Sequence, residues 1–405
     1  MLGRRGFLGA AVSVGLTALD GVSAGQESPV EKRKALKPVG PTPVKPRSLE
    51  PDPRVNRVLQ PLLDRHNVPG LVGALLVGEK LTAIGAVGVR KLGTEAPITV
   101  NDRVHIGSCT KAMTATLIGL LVDEGKLSWS STVREIFPER AKSLHPDFQG
   151  VTVIQLLNHR AGLPPNGNWW MLGRNKTTTE QRKVLLSEMM KSSPVTKPGS
   201  TYEYSNVGYA IAGLMAEQVT GKSWEMLMRT RLFEPLEMAT AGFGIPGKPG
   251  SVVEPWGHHD VSGRIESIQE DNAPALGPAG TVHVSVPYWA KFAALHLQGA
   301  RGKARLLKAE TFRTMHTPPP GGDYAAGWSV AGRSWAGGTA LNHSGSNLTW
   351  YASVWLAPSR NFAFLTATNQ GGAAAAKVCD DAIGALIALA DQTEGTRPRR
   401  KGGRG

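Results

Sequence analysis

The stretch "VHIGSCTKAMTATLIGLL", Val104–Leu121, places a hydroxyl and an ammonium, Ser108 and Lys111, at the mouth of an apolar segment. Ala112, Met113, Ala115, Leu117, Ile118, Leu120 and Leu121 fall on every side of a helical projection, the pattern of a helix enclosed by protein. Positions i and i+3 share a helix face, so Ser108 and Lys111 point the same way. At a helix start the backbone N–H of the serine has no helical partner, and the helix dipole favours developing negative charge. A lysine in apolar surroundings gives up its proton more readily and can exchange one with the hydroxyl. The pair is then an activated nucleophile. Taken alone, the same tetrad reads more simply as a serine cap followed by a surface lysine.

Working outward, "VPGLVGALLVGEKLTAIGAVGVRK" (68–91) predicts two strands around Gly78-Glu79-Lys80. A Pro- and Gly-punctuated helical region covers about 130–275. "SVPYWAKFAALHLQG" (285–299) is an amphipathic helix opening at a serine cap. Short strands follow in "YAAGWSVAG", "GTALNHSG", "TWYASVWLAP" and "NFAFLTATNQG", and "AAAAKVCDDAIGALIALA" (373–390) is a closing helix. Strands at both ends with helices between predict an α/β protein of the α+β kind. One antiparallel sheet is completed by the C-terminal half and flanked by helices, with a large all-helical insertion. No internal repeat is visible.

The 405 residues easily bury a core, and the net charge is +14. Eight of those charges sit at the ends, +5 up to Arg57 and +3 from Asp391 onward. A basic nucleic-acid face is therefore not expected, nor is a stable membrane span. Residues 1–24 have the shape of an export signal: Arg4 and Arg5 precede Phe7-Leu8, an apolar run reaches Leu19, and Val22-Ser23-Ala24 offers a cleavage site. The paired arginines resemble a twin-arginine signal, which implies a periplasmic or extracellular protein. Residues 25–53 read as a Pro-rich linker, 54–392 as the folded domain and 393–405 as a basic disordered tail. Two cysteines, Cys109 and Cys379, make no disulfide framework, and their pairing stays open.

Two later stretches change the weight of the tetrad. "TYEYSNVGYAIAGLMAEQVTG" carries Tyr204-Ser205-Asn206, and "LNHSGSNLTWYASVWL" carries His343-Ser344-Gly345 on a strand. Ser-x-x-Lys, Tyr-x-Asn and a third motif ending in Ser-Gly, in that order, resemble the serine β-lactamase and penicillin-binding protein superfamily, and within it the class C β-lactamase-related esterases and D-peptidases. The likeness spans about Val55 to Ala390. It implies that Ser108 attacks a carbonyl, that Lys111 and Tyr204 share the acid and base work, and that Asn206 bonds Lys111 or the substrate. It implies an oxyanion hole from the N–H groups of Ser108 and Ser346, with Ser344 and Gly345 on the substrate-binding strand, Gly345 leaving room for the substrate. No metal or cofactor is implied; the partner is a small ester, amide or peptide, and the oligomeric state stays open.

His343 is the departure, since a true β-lactamase or D,D-peptidase of this branch usually carries lysine there to hold a substrate carboxylate. That favours an esterase, amidase or D-amino-acid peptidase over a true β-lactamase or cell-wall D,D-carboxypeptidase. A non-catalytic binding module on the same fold is the alternative of another class. Lesser signals are set aside. "GVSAG" (21–25) lies in the export signal, and "GFGIPG" (242–247) has no strand–helix context. His258, His259 and Asp260 lack metal-ligand spacing and read as a loop, and His159 reads as structural. Of Trp169, Trp170 and Trp350, the last has the best case for lining a site.

Overall fold

Strand β1, Gly70–Val77, reads GLVGALLV and is buried along almost its whole length, so it must be covered on both faces. The computed structural model, which describes residues 49–395, shows how. With β2 (Lys80–Gly88) it forms the hairpin predicted around Gly78. Five further strands follow in chain order: β3 (Arg103–His105), β4 (Gly242–Phe243), the pair β5 (Gly257–Val261) and β6 (Arg264–Ile268), and β7 (Val282–Ser285). The C-terminal half adds β8 (Ser329–Arg333), β9 (Gly338–Ser346), β10 (Tyr351–Ala357) and β11 (Phe362–Thr368). The main sheet is antiparallel with order β2-β1-β11-β10-β9-β8, so the two ends of the chain meet at the β1–β11 pairing.

Helix α1 (Pro53–His66) and the closing helix Ala373–Gly395 cover one face of this sheet through Val55, Leu59, Val378, Ala382 and Leu386. The other face packs on the helix Val286–Gly299, and the same core continues into helix α2 (Thr110–Asp123) and the helix Asn206–Thr220, which pack on each other. Every residue of α2 from Thr110 to Leu121 is buried, as its all-round apolar pattern requires. Burying one Leu or Ile side chain there is worth about 1.5–3 kcal/mol, so α2 is a fixed post for whatever sits at its N-terminus.

The domain boundaries need adjustment. Helix α1 was not evident from its pattern, because Pro61 lies inside it and the preceding segment reads as linker. Pro53 occupies its first turn and Asp52 caps it, its carboxylate accepting from Arg54 N–H at 2.9 Å. Asp52 N–H also donates to Ile84 O at 2.7 Å, so residues 49–53 belong to the domain rather than to the linker. The closing helix runs to Gly395, past the expected tail boundary. The expected export signal, the linker to residue 48 and the tail from 396 lie outside the described residues. The region expected to be all helical also holds the β5–β6 hairpin. Its strands are short and polar, without the apolar alternation that marks a strand in sequence. Among the described residues no helix is long and apolar enough to cross a membrane.

Candidate active site

Strand β3 pairs with β7 and delivers the chain into a tight turn, Gly107–Cys109, that runs straight into α2. Ser108 sits on that turn and Lys111 on the first turn of the helix. Lys111 Nζ lies 3.0 Å from Ser108 Oγ, 2.7 Å from Asn206 Oδ1 and 2.8 Å from the Ala279 carbonyl. The amine is fully buried, and desolvation holds its pKa well below the usual lysine value. A neutral amine has two N–H donors and one lone pair. Asn206 Oδ1 and Ala279 O take the two donors, which leaves the lone pair for the Ser108 hydroxyl proton.

Tyr204 OH donates to the same Ser108 Oγ at 2.8 Å. Burial pushes the Tyr204 phenol up to about 12, so it is a protonated donor at neutral pH. Tyr204 is held just ahead of the helix Asn206–Thr220 by Ser205, which caps that helix by accepting from Gly208 N–H at 3.0 Å. Ser205 N–H donates to His159 Nδ1 at 3.0 Å, and the His159 ring lies against Tyr204 with centroids 4.5 Å apart. The buried His159 thus has a structural part, as expected, at positive φ in the turn that supports Tyr204. Asn206 is steadied through its Nδ2, which donates to Asn166 Oδ1 at 2.9 Å.

Strand β9 closes the other wall. A Cβ on Gly345 would lie 2.2 Å from Ile106 O and 2.4 Å from Ser108 N, and one on Gly107 would lie 2.4 Å from Ser346 N. The backbone of β9 therefore rests directly on the nucleophile turn, bringing the Ser108 and Ser346 amides into one neighbourhood. The space at Gly345 is filled by the protein's own turn, not left for a substrate as the sequence suggested.

The third motif splits in two. His343 is buried, with Nε2 2.9 Å from Tyr324 OH and Nδ1 2.7 Å from Ser344 O. Desolvation, helped by the nearby Lys111, lowers its pKa to about 3. It is a neutral core group and does not line the cleft. Ser344 belongs to the opposite strand parity, and its Oγ lies 3.0 Å from Ser353 Oγ on β10. Of the site residues expected from sequence, the structure thus gathers Ser108, Lys111, Tyr204, Asn206, Gly345 and Ser346, and turns the side chains of His343 and Ser344 elsewhere.

The nucleophile opens into a cleft of about 540 Å³. Trp169 and Trp170 line it with Asn166, His259, Glu270, Asp271 and Asn347. Trp350, favoured from sequence, is core. His258 is buried, with its ring nitrogens on Leu92 N and Asn369 O. Asn166, Glu270, Asp271 and the Ala279 carbonyl were not legible: they sit far from the motifs in sequence, and a carbonyl has no residue signature. Cys109 and Cys379 are free buried thiols beside different strand carbonyls of β10, so no disulfide joins them. Among the described residues no cluster has a metal-ligating composition.

A family model described as Beta-lactamase matches residues 55–388. The chain belongs to the beta-lactamase family. This beta-lactamase-family chain is 26% identical over 330 residues to an unguisins hydrolase of Aspergillus campestris, covering 77% of this chain and 60% of the relative. It is 27% identical over 331 residues to penicillin-binding protein 4 of Amycolatopsis lactamdurans, covering 76% and 83%. In fold it is similar to the octameric penicillin-binding protein homologue from Pyrococcus abyssi, with a TM-score of 0.69 at 23% identity over 84% of this chain and 77% of that one. The family is one of serine hydrolases, which supports an enzyme of hydrolase type.

Proposed function

We propose that the protein is an exported serine hydrolase that cleaves a small ester, amide or peptide bond through an acyl-enzyme on Ser108. The observation that carries it is the position of Ser108 Oγ between Lys111 Nζ at 3.0 Å and Tyr204 OH at 2.8 Å. Ser108 Oγ attacks the carbonyl carbon, and its proton passes to the neutral Lys111. The oxyanion faces the amides of Ser108 and Ser346. Tyr204 gives its proton to the departing alcohol or amine and recovers one from Lys111. Water then repeats the sequence to release the acid. Removing a positioned acid or base of this kind costs about 10²–10⁴-fold in rate. Export is supported by the arginine pair and the apolar run at the start of the chain.

A second reading, a penicillin-acylated D,D-carboxypeptidase or a β-lactamase, is favoured by the penicillin-binding relative. Against it stands His343, buried and neutral where a carboxylate anchor would be needed. Mass spectrometry of the purified chain after treatment with a fluorophosphonate, and separately with a labelled penicillin, separates the two, with Ser108→Ala as control. An adduct on Ser108 from the fluorophosphonate alone, with penicillin left intact, is the expected result. A lasting penicillin adduct or rapid penicillin loss moves the assignment to the second reading. No adduct of either kind, with penicillin unconsumed, leaves a binding module.

A further inference from the structure

The charge of the cleft runs against the charge of the chain. The protein carries +14, yet Glu270 and Asp271 line the cleft and no lysine or arginine does. The nearest basic group to the nucleophile, Lys111, is fully buried away from the cleft wall, and desolvation holds its pKa well below the usual lysine value, which disfavours the charge that would offset them.

Asp271 is built in rather than draped over the rim. Its side chain is 11% exposed. Oδ1 accepts from Asn347 Nδ2 at 3.3 Å and lies 2.8 Å from His105 Nε2. His105 is fully buried, and its Nδ1 accepts from Gly107 N–H at 3.1 Å. Asn347 follows the oxyanion residue Ser346, and Gly107 precedes Ser108. The carboxylate is thereby tied to both walls of the reaction centre.

Its bonding is nonetheless incomplete. His105 Nε2 lies close to Oδ1 yet makes no well-formed hydrogen bond. Among the described residues no donor reaches Asp271 Oδ2. A carboxylate withdrawn from water and short of donors attracts a cation. A substrate carboxylate would meet two like charges and no cationic partner, because His343 is withdrawn into the core. Trp169 adds an aromatic wall, whose face favours a cation. Trp170 is already approached by the Arg174 guanidinium, 5.9 Å from its ring centre.

We propose that the Ser108 cleft selects substrates carrying an ammonium group beside the scissile carbonyl, with Asp271 as the residue that binds it. This rests on Ser108 being the nucleophile. The ammonium takes no part in bond making; it fixes the carbonyl against the oxyanion amides and raises the local concentration of cationic substrates.

Three fluorophosphonates of equal chain length test it on the full chain, ending in trimethylammonium, its neutral isostere tert-butyl, or carboxylate. The readout is the second-order rate of Ser108 modification by mass. The expected order is cation, neutral, anion, with the cation about tenfold faster than its isostere, the size of one partly desolvated ion pair. That ratio shrinks as sodium chloride is raised and falls towards one in Asp271→Asn. Equal rates for cation and isostere in the unaltered protein overturn the proposal while leaving the hydrolase assignment standing. A ratio unchanged in Asp271→Asn overturns the role of Asp271. If that variant does not fold, the isostere ratio and its salt dependence decide. If none of the three modifies Ser108, the hydrolase assignment itself fails and the substrate preference falls with it.

Discussion

Tyr324 donates its hydroxyl proton to His343 Nε2 across 2.9 Å, while His343 Nδ1 closes on the Ser344 carbonyl at 2.7 Å. Both ring nitrogens are spent, so the third-motif imidazole supports the strand that carries Gly345 and Ser346 and makes no approach to the cleft. A position that sequence comparison would assign to substrate binding is here part of the core.

The consequence is measurable. His343→Ala strands the buried Tyr324 hydroxyl and opens a void, at a cost of about 1–3 kcal/mol for the lost bond. A loss of a few degrees in Tm is expected. His343→Gln, which keeps an acceptor for Tyr324, should recover most of it. If His343 instead held substrate, both variants would raise KM while Tm stayed put.

Asn206 Oδ1 accepts a hydrogen bond from Lys111 Nζ at 2.7 Å without adding charge. Asn206→Asp puts an anion in its place. An opposite charge stabilises the ammonium, so the Lys111 pKa rises and the free base is available only at higher pH. The acid limb of the kcat/KM profile for a hydrolysed ester should therefore move up by one or more units, about 1–3 being usual for a close ion pair. A limb that stays where it was, or moves down, would show that Lys111 is not the base.

The scaffold and the nucleophile could be read from sequence because each leaves a local pattern. The all-round apolar run of α2 demands burial, and Ser108 and Lys111 are three residues apart, one on the turn that leads into α2 and the other on its first turn. The hairpin of β1 and β2 and the C-terminal strands announce themselves by small and β-branched residues between turns. What failed has a physical cause in each case. Helix α1 hides behind Pro61, tolerated because its apolar stripe of Val55, Leu59 and Leu62 packs on the sheet. The cleft residues Asn166, Glu270 and Asp271 reach Ser108 only through tertiary folding. The orientation of His343 depends on Tyr324, 19 residues away on a loop, which no motif encodes.

Gly345 is a packing requirement on the nucleophile turn. In Gly345→Ala the new methyl group would sit 2.2 Å from Ile106 O and 2.4 Å from Ser108 N, and backbone cannot yield as a side-chain tip does. Strand β9 must withdraw, carrying the Ser346 amide with it. Loss of one oxyanion donor costs about 10²–10³-fold in kcat, and a loss of that order is expected in steady-state ester hydrolysis with KM little changed. Activity within a factor of two of the parent would mean that the two amides do not share an oxyanion.

Acid should unfold the domain through its histidines. Burial lowers His258 and His283 to about 4 and His316 and His343 to about 3, against an ordinary value of 6.5. In the unfolded chain these imidazoles take up protons as pH falls through 6.5, while in the folded chain they stay neutral until about 3 to 4. The unfolded state thus binds more protons across that window, and stability falls as pH falls, each group contributing up to about 1.4 kcal/mol per pH unit. Above 6.5 the four are neutral in both states and contribute no slope. Urea unfolding followed from pH 8 to pH 4.5 should give a nearly level free energy down to about 7 and a steepening loss below 6.5. In His316→Phe, which removes one of the four from its buried pair with His296, 2.9 Å away, the loss should be shallower. A flat profile across the acid range in the parent would mean that these side chains reach water or a proton-accepting partner in the folded state.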